Sequence, residues 1–169
     1  MMELYIVRHA WAADRDDPQW PEDGLRPLTE AGKERFAQVA AKLAGRGMKP
    51  EIIATSPLVR CVETAQLLAA AADSVSHTKA EMVELDELRP GSDFDGLLRW
   101  TERQARKHQQ IAWVGHAPDV NRLTAAMIGE GDSSIHFAKG AVAAVSFDAL
   151  PALGLGELRW LVTAKVLGV

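Results

Sequence analysis

Short runs of β-prone apolar residues alternate with longer amphipathic stretches over most of the chain. Three such runs, at residues 3–7 (ELYIV), 51–55 (EIIAT) and 111–114 (IAWV), are too short for helices and indicate buried strands. Longer stretches with helical periodicity lie between them. Strands that alternate with helices of this length form βαβ units. The chain is therefore expected to fold as a three-layer α/β/α sandwich around a mostly parallel central sheet.

Four helices are predicted between and after these strands. Thr29 begins the first, which has apolar residues on one face and is closed by Gly45 and Gly47. Ser56 is expected to cap the second, which Pro57 opens and which runs to about Ala72. The last two are marked by apolar residues at helical spacing: Phe94, Leu97, Leu98 and Ala105, then Val120, Leu123 and Met127 after Pro118.

Two further strands are predicted near the end of the chain, at residues 141–147 (AVAAVSF) and 157–163 (ELRWLVT). The sequence leaves open whether they pair antiparallel at one edge of the sheet or extend its parallel part. No internal repeat and no linker divides the chain, so residues 1–169 are expected to form one domain.

Charge and cysteine content narrow the function classes. The net charge of -4 gives no overall electrostatic reason to bind nucleic acid or an anionic membrane. No stretch approaches the roughly 18 uninterrupted apolar residues of a membrane span, and no signal peptide is recognised. The single cysteine, Cys61, excludes an intrachain disulfide and a thiolate metal cluster. We therefore expect a soluble, monomeric, cytoplasmic protein.

Polar side chains follow three of the predicted strands at the point where each strand ends. Arg8 and His9 follow the first, Arg60 lies shortly after the second, and His116 follows the third. Ligands of open α/β sheets bind at the carboxyl ends of the strands. Two arginines, two histidines and a helix N-terminus at Ser56 together make a site for a dianion such as phosphate.

A histidine in such a site suits phosphoryl transfer. Neutral imidazole is nucleophilic near pH 7 because its pKa of about 6.5 leaves one nitrogen unprotonated, and it forms a covalent intermediate that water resolves. Arginines supply bidentate donors to the oxygens on which charge gathers. This chemistry needs no metal or cofactor. The remaining histidines, His77, His108 and His136, show no zinc-site spacing.

Four motifs, in order, resemble those of the histidine phosphatase superfamily in its phosphoglycerate-mutase-like branch. They are LYIVRHA (4–10), RPLTEAG (26–32), TSPLVRCVETA (55–65) and VGHAP (114–118). The tail segments KGAVAAVSFD (139–148) and ELRWLVTAK (157–165) are similar to those of bacterial phosphohistidine phosphatases of the SixA type. The resemblance covers nearly the whole chain and implies a phosphoglycerate-mutase-like fold.

The resemblance also implies a role for each matching residue. His9 is the nucleophile that becomes phosphorylated, and Arg8, Arg60 and His116 form the rest of the phosphate pocket. Arg26 takes the place of an arginine that faces the phosphate in SixA-like members.

The general acid of the superfamily is a carboxylate. Glu87 is its best positional match here, with Asp86 and Glu84 as alternatives. A leaving alkoxide needs a positioned acid, whereas phosphohistidine leaves as imidazole, which takes up its own proton near neutral pH. The importance of Glu87 thus depends on the substrate.

Some residues depart from the family pattern or have no assigned role. Ala10 stands where the family usually has a glycine after Arg-His, and Thr-Ala-Lys (163–165) stands where the tail usually reads Thr-Pro-Lys. Trp11 and Trp20 lie in the loop over the expected pocket and are candidates to line it. Cys61 is assigned to helix packing because the chain has no Cys-(x)5-Arg loop.

Taken together, these features predict a metal-independent phosphatase for phosphohistidine in a protein. The expected partner is a histidine phosphotransfer domain of a two-component relay, which would place the enzyme in signal transduction. The short chain favours this substrate because it has no large insertions to build a deep small-molecule pocket. Two alternatives stay open, a phosphatase of small phosphate esters and a non-catalytic module that binds phosphohistidine.

Overall fold

In the part of the chain that the structure describes, the regular structure consists of six strands, four α-helices and two short 3-10 helices. The computed structural model describes residues 1–129 and 133–169. The strands are β1 (Met2–Arg8), β2 (Ile52–Thr55), β3 (Glu81–Glu84), β4 (Gln110–Gly115), β5 (Val142–Phe147) and β6 (Glu157–Val162). The helices are α1 (Glu30–Ala44), α2 (Val59–Asp73), α3 (Phe94–Gln104) and α4 (Asp119–Ile128).

All six strands join in one sheet, in the order β3-β2-β4-β1-β5-β6. The first four strands of that order are parallel to their neighbours. β5 runs antiparallel to β1, and β6 runs antiparallel to β5. The mostly parallel sheet is confirmed, and the two tail strands form an antiparallel edge.

Side chains of β1 alternate between two cores, as the period of a strand requires. Tyr5 and Val7 pack with apolar residues of α1 and α2. Leu4 and Ile6 pack on the opposite face with apolar residues of α3 and α4. One helix pair therefore covers each face of the sheet, which confirms the three-layer α/β/α sandwich.

The start of α1 is confirmed, but the predicted start of the second helix is wrong. The Thr29 side chain accepts a hydrogen bond from the backbone N–H of Gly32, as an N-cap does. α2 begins three residues after Ser56, with Leu58 at the capping position. The hydroxyl of Ser56 lies instead 2.9 Å from Nε2 of His116. The same hydroxyl accepts a long hydrogen bond (3.4 Å) from the backbone N–H of Leu58, so Ser56 bonds to the residue before α2 and to the end of β4.

Strand β3 is not predicted from the sequence. Three of its four side chains are exposed, and it forms one edge of the sheet. An edge strand with so little burial carries neither an apolar run nor a clean alternation.

Strand order brings the predicted polar positions together. β4 lies between β1 and β2, and Val114 pairs with Val7 on one side and with Thr55 on the other. The residues that follow these three strands therefore share one edge of the sheet. Within the described ranges, none of the helices combines the length and hydropathy that a membrane crossing requires.

Candidate active site

His9 is held rigidly where β1 ends. Its backbone N–H donates to the carbonyl of Gly115 (3.0 Å), and its carbonyl accepts from the N–H of Gly140 (3.1 Å). In the side chain, Nδ1 lies 2.8 Å from the carbonyl oxygen of Ala10. A carbonyl only accepts, so Nδ1 carries the hydrogen and the lone pair lies on Nε2. The imidazole is thus fixed in the tautomer that a nucleophile at Nε2 needs.

The surroundings of His9 keep its ring neutral. The residue is 9% exposed, and burial lowers the pKa of the imidazole to about 3. The hydrogen bond to Ala10 opposes this shift, while the positive charges of Arg60 and Arg8 add to it. A neutral ring at pH 7 is the reactive form.

His116 lies beside His9, with ring centroids 5.4 Å apart. Nη2 of Arg60 is 3.3 Å from Nδ1 of His116, and a guanidinium can only donate. Nδ1 therefore accepts, which leaves the hydrogen on Nε2 to be donated to Ser56. Burial first, and then the charge of Arg60, lowers the pKa of His116 to about 4.

The half-buried Arg8 and the buried Arg60 both bring their positive charge close to His9. Arg60 is only 2% exposed, and Nη1 of Arg8 donates to the carbonyl of Phe137 (2.7 Å). Burial lowers the pKa of both groups. The Nε atoms of both have no hydrogen-bond partner among residues 1–129 and 133–169. Buried donors without acceptors are rare and costly, so these two N–H groups favour an anionic ligand.

Asp23 links the third predicted arginine, Arg26, to Arg60. Oδ1 of Asp23 accepts from Nε (3.0 Å) and Nη2 (2.8 Å) of Arg26, and Oδ2 accepts from Nη2 of Arg60 (2.9 Å). Burial would raise the pKa of this carboxyl, but the hydrogen bonds from Arg26 and the charge of Arg60 outweigh it and lower the pKa. Sequence reasoning missed Asp23, because nothing in an irregular loop shows which carboxylate will face which arginine.

A cavity of about 230 Å³ opens beside His9. Arg26 contributes to its wall, and so do two cations that sequence reasoning missed, Arg15 and Lys139. The full lining is Arg8, His9, Ala12, Ala13, Asp14, Arg15, Arg26 and Lys139. Asp14 is the one carboxylate that lines the cavity among the described residues. Such a wall is complementary to an anion.

Glu87 lies near this site, in a short 3-10 helix, but its side chain lines a different cavity. That cavity is bounded by Glu84, Leu85, Asp86, Glu87 and Asp93, none of which lines the one beside His9. The next residue, Leu88, packs close to Gly115. The structure thus brings this segment to the end of β4, and Cγ of Glu87 lies close to Gly96 at the start of α3.

The remaining candidates take structural positions. Burial raises the pKa of the Cys61 thiol to about 12, and its Sγ lies 3.4 Å from Nε2 of His116. A thiol that stays protonated packs against the ring and is no nucleophile. Trp11 stacks under the guanidinium of Arg35 at 4.4 Å and packs against the core. Neither Trp11 nor Trp20 lines the cavity beside His9.

Potential metal ligands do not cluster in the part of the chain that the structure describes. No three side chains of His, Cys, Asp or Glu come together there as a group that could hold an ion.

Comparison with known proteins finds a matching family, a relative with similar sequence and solved structures with a similar fold. A sequence profile of the histidine phosphatase superfamily (branch 1) matches residues 4–147. An uncharacterized protein of Picosynechococcus sp. (strain ATCC 27264 / PCC 7002 / PR-6) is 40% identical over 127 residues, which are 75% of this chain and 73% of that protein.

Among solved structures, the chain is similar to the protein histidine phosphatase SixA complexed with tungstate. The TM-score is 0.81 at 24% identity, over 98% of this chain and 99% of the other. The alpha-ribazole phosphatase from Shigella flexneri shares the fold with a TM-score of 0.66 at 20% identity, over 96% and 97% of the two chains. At these identities the likeness concerns the fold, and phosphatases of different substrates share it.

Proposed function

The chain belongs to the histidine phosphatase superfamily (branch 1), and we propose that it hydrolyses phosphohistidine in a partner protein through a covalent phospho-His9 intermediate. One observation carries this proposal. The buried His9 ring has its lone pair on Nε2. Beside it, Arg8 and Arg60 each keep a buried Nε–H that finds no partner in the described part of the chain. A nucleophile and donors for an oxyanion at the same end of the sheet support this proposal.

In the first step, Nε2 of His9 attacks phosphorus in line with the leaving nitrogen. The new P–N bond forms as the substrate's P–N bond breaks, and the leaving imidazole takes up a proton. Arg8, Arg26, Arg60 and His116 hold the phosphoryl oxygens in this proposal. For His116 to do so, its Nε2–H exchanges the hydroxyl of Ser56 for a phosphoryl oxygen. Phosphorylation at Nε2 makes the His9 ring cationic, and the carbonyl of Ala10 stabilises the positive Nδ1–H.

In the second step, water attacks the phosphorus of phospho-His9. The P–N bond breaks, inorganic phosphate leaves, and the ring returns to its neutral form. Burial favours that neutral form, because it holds the pKa of His9 at about 3. The same effect that prepares the nucleophile thus makes His9 a good leaving group.

Two features favour a protein substrate over a small phosphate ester. The cavity of about 230 Å³ is smaller than the roughly 300–1,000 Å³ of typical small-molecule sites, but a single side chain can enter it. An alkoxide also needs a positioned acid, and Glu87 lines another cavity. Phosphohistidine, whose imidazole takes up its own proton, has the weaker need. We propose a histidine phosphotransfer domain as the partner.

Substrate competition tests the proposal. Purified enzyme is given a phosphotransfer domain phosphorylated on its histidine and, separately, a panel of sugar phosphates and nucleotides. We expect kcat/KM to be highest for the phosphorylated domain. The His9→Ala variant serves as the control in both assays, because activity that survives it comes from a contaminant. A kcat/KM for any ester far above that for the domain would make the enzyme a small-ester phosphatase.

A further inference from the structure

Two cations at the mouth of the cavity are given no role by the proposed mechanism. Arg15 and Lys139 line the same cavity as His9, and both are exposed. Neither forms an ion pair with a carboxylate in residues 1–129 and 133–169. They stand on separate loops, one after β1 and the other just before β5.

The backbone on which each cation stands is anchored to the site. Lys139 precedes Gly140, whose N–H donates to the carbonyl of His9. Arg15 follows two residues after Ala13, which donates its N–H to the carbonyl of Pro27 (2.9 Å) and accepts from Nη1 of Arg26. The backbone that carries the two cations is therefore held close to the nucleophile.

The charge at this opening exceeds what one phosphoryl group requires. Arg8, Arg26 and Arg60 already face a dianion in the proposed mechanism, and Asp14 is the lone carboxylate of the cavity wall in the described part of the chain. The whole chain carries a net charge of -4. Because the rest of the protein is acidic, a local excess of positive charge attracts a second negative group preferentially to the opening of this cavity.

We propose that Arg15 and Lys139 form a docking subsite for acidic side chains that flank the phosphohistidine of a partner protein. This inference rests on the proposed function, since it concerns the residues of the partner protein that flank the phosphohistidine attacked by His9. Because both cations are exposed at the mouth, the acidic groups that reach them belong to a surface lying over the cavity. Complementary charge of this kind speeds association and selects among partners more than it tightens binding.

The test uses two peptides that carry phosphohistidine at the same position, one flanked by glutamates and one by glutamines. For the wild-type enzyme we expect a higher kcat/KM on the acidic peptide at low salt, and a preference that shrinks toward about 150 mM salt as screening increases. Exposed ion pairs are worth a factor of about two to five each. The Arg15→Gln/Lys139→Gln double variant should therefore lose about 4- to 25-fold in kcat/KM on the acidic peptide. Its loss on the neutral peptide should be clearly smaller.

A matched control removes two exposed cations from the opposite edge of the sheet. Arg106 and Lys107 lie between the end of α3 and the start of β4 and are both exposed. The Arg106→Gln/Lys107→Gln variant changes the net charge by the same amount, so it should keep the wild-type preference for the acidic peptide.

The outcomes separate this inference from the proposed function. Hydrolysis of neither peptide, with turnover of small esters, rejects the proposed function itself. Hydrolysis of both without preference, or a preference that persists in the Arg15→Gln/Lys139→Gln variant, overturns the subsite alone. The partner assignment also fails if the double variant loses activity on a carboxylated small ester but not on the acidic peptide. Loss of the preference in that variant and not in the control supports the subsite.

Discussion

His9 combines a fixed tautomer with a neutral ring in a cationic pocket. Burial lowers the pKa of His9, and it also lowers the pKa of Arg8 and Arg60. All three groups are thus destabilised in their charged forms when no anion is present. A phosphoryl dianion placed among them offsets that cost. The folded protein therefore gains affinity for the substrate from groups that were already buried before the substrate binds.

Glu87 tests the role of proton donation at the level of one residue. We expect Glu87→Gln to leave the hydrolysis of phosphohistidine nearly unchanged, because the leaving imidazole takes up its own proton and the carboxylate lines another cavity. The measurement is kcat/KM on phosphohistidine and on an alkyl phosphate, with Asp86→Asn as the matched control. A large loss specific to Glu87→Gln on phosphohistidine would assign the general-acid role to Glu87.

Asp23 tests whether the arginines are positioned by a neighbour. The Arg26→Ala substitution should weaken tungstate binding by about 10- to 100-fold, because charge-assisted hydrogen bonds to the anion are lost. Asp23 bridges Arg26 and Arg60. In an Asp23→Ala background Arg26 keeps only its hydrogen bond to the carbonyl of Ala13, so its removal should cost less. Calorimetric titration of the two single variants and the double variant gives the coupling. Strictly additive losses would show that Asp23 acts independently of Arg26.

The limits of sequence reasoning are clear at this scale. Arg8, His9, Arg60 and His116 were predictable because they follow strands, and parallel strands bring their carboxyl ends to one edge. Asp23 and the two mouth cations lie in irregular loops, where no period gives the direction of a side chain. Their contacts depend on how the loop folds over the sheet, which only the structure provides.

At the scale of elements, the loop after β1 is fastened to the start of α1. The backbone N–H of Thr29 donates to the carbonyl of Trp11 (3.0 Å), and Thr29 also caps the helix through Gly32. A Cβ at Gly32 would lie 2.3 Å from that same carbonyl oxygen. The absence of a side chain at Gly32 lets the helix approach the segment that follows the nucleophile.

Gly32→Ala should therefore destabilise the protein by about 1–3 kcal/mol, because backbone atoms must shift to admit the methyl group. Gly45→Ala is the matched control, since Gly45 has a helical φ of -63 and its nearest neighbour would be 3.4 Å from the added Cβ. That variant should be neutral or more stable by a few tenths of a kcal/mol. Urea denaturation measures both, and equal stabilities of the two variants would contradict this account of the loop.

Among the strands and helices, too, some features were predictable from the sequence and others were not. The buried strands were predictable from their apolar runs, and β3 was not, because its side chains are exposed at the sheet edge. Ser56 has the sequence of a helix cap, but its hydroxyl lies against His116. A contact between distant parts of the chain overrides a local preference there, as is common at functional sites.

For the molecule as a whole, the two buried histidines link stability to pH. Their pKa values are about 3 for His9 and about 4 for His116, below the roughly 6.5 of an unfolded chain. The unfolded state therefore binds more protons as pH falls, and stability is lost from about pH 6.5 downward until the folded pKa values are passed. Between pH 7 and 5 the loss is about 2 kcal/mol for each histidine.

His9→Gln should remove about half of that histidine contribution, so its free energy of unfolding should fall less steeply between pH 7 and 5 than that of the wild type. His77→Gln, which changes an exposed histidine, is the control and should keep the wild-type slope. Urea midpoints at several pH values, in buffers without phosphate, give the comparison. Parallel curves for wild type and His9→Gln would mean that His9 is not held neutral by burial.

Capture of the phosphoenzyme tests the central proposal most directly. The enzyme is mixed with a phosphotransfer domain labelled on its phosphohistidine and quenched in alkaline denaturant, because the P–N bond is labile in acid. Tryptic digestion then isolates HAWAADR (residues 9–15). We predict label on His9 that appears and decays at rates sufficient for turnover, no label in His9→Ala, and normal labelling in His77→Ala. Full turnover without label on His9, or activity retained by pure His9→Ala, would contradict the assignment of His9 as nucleophile.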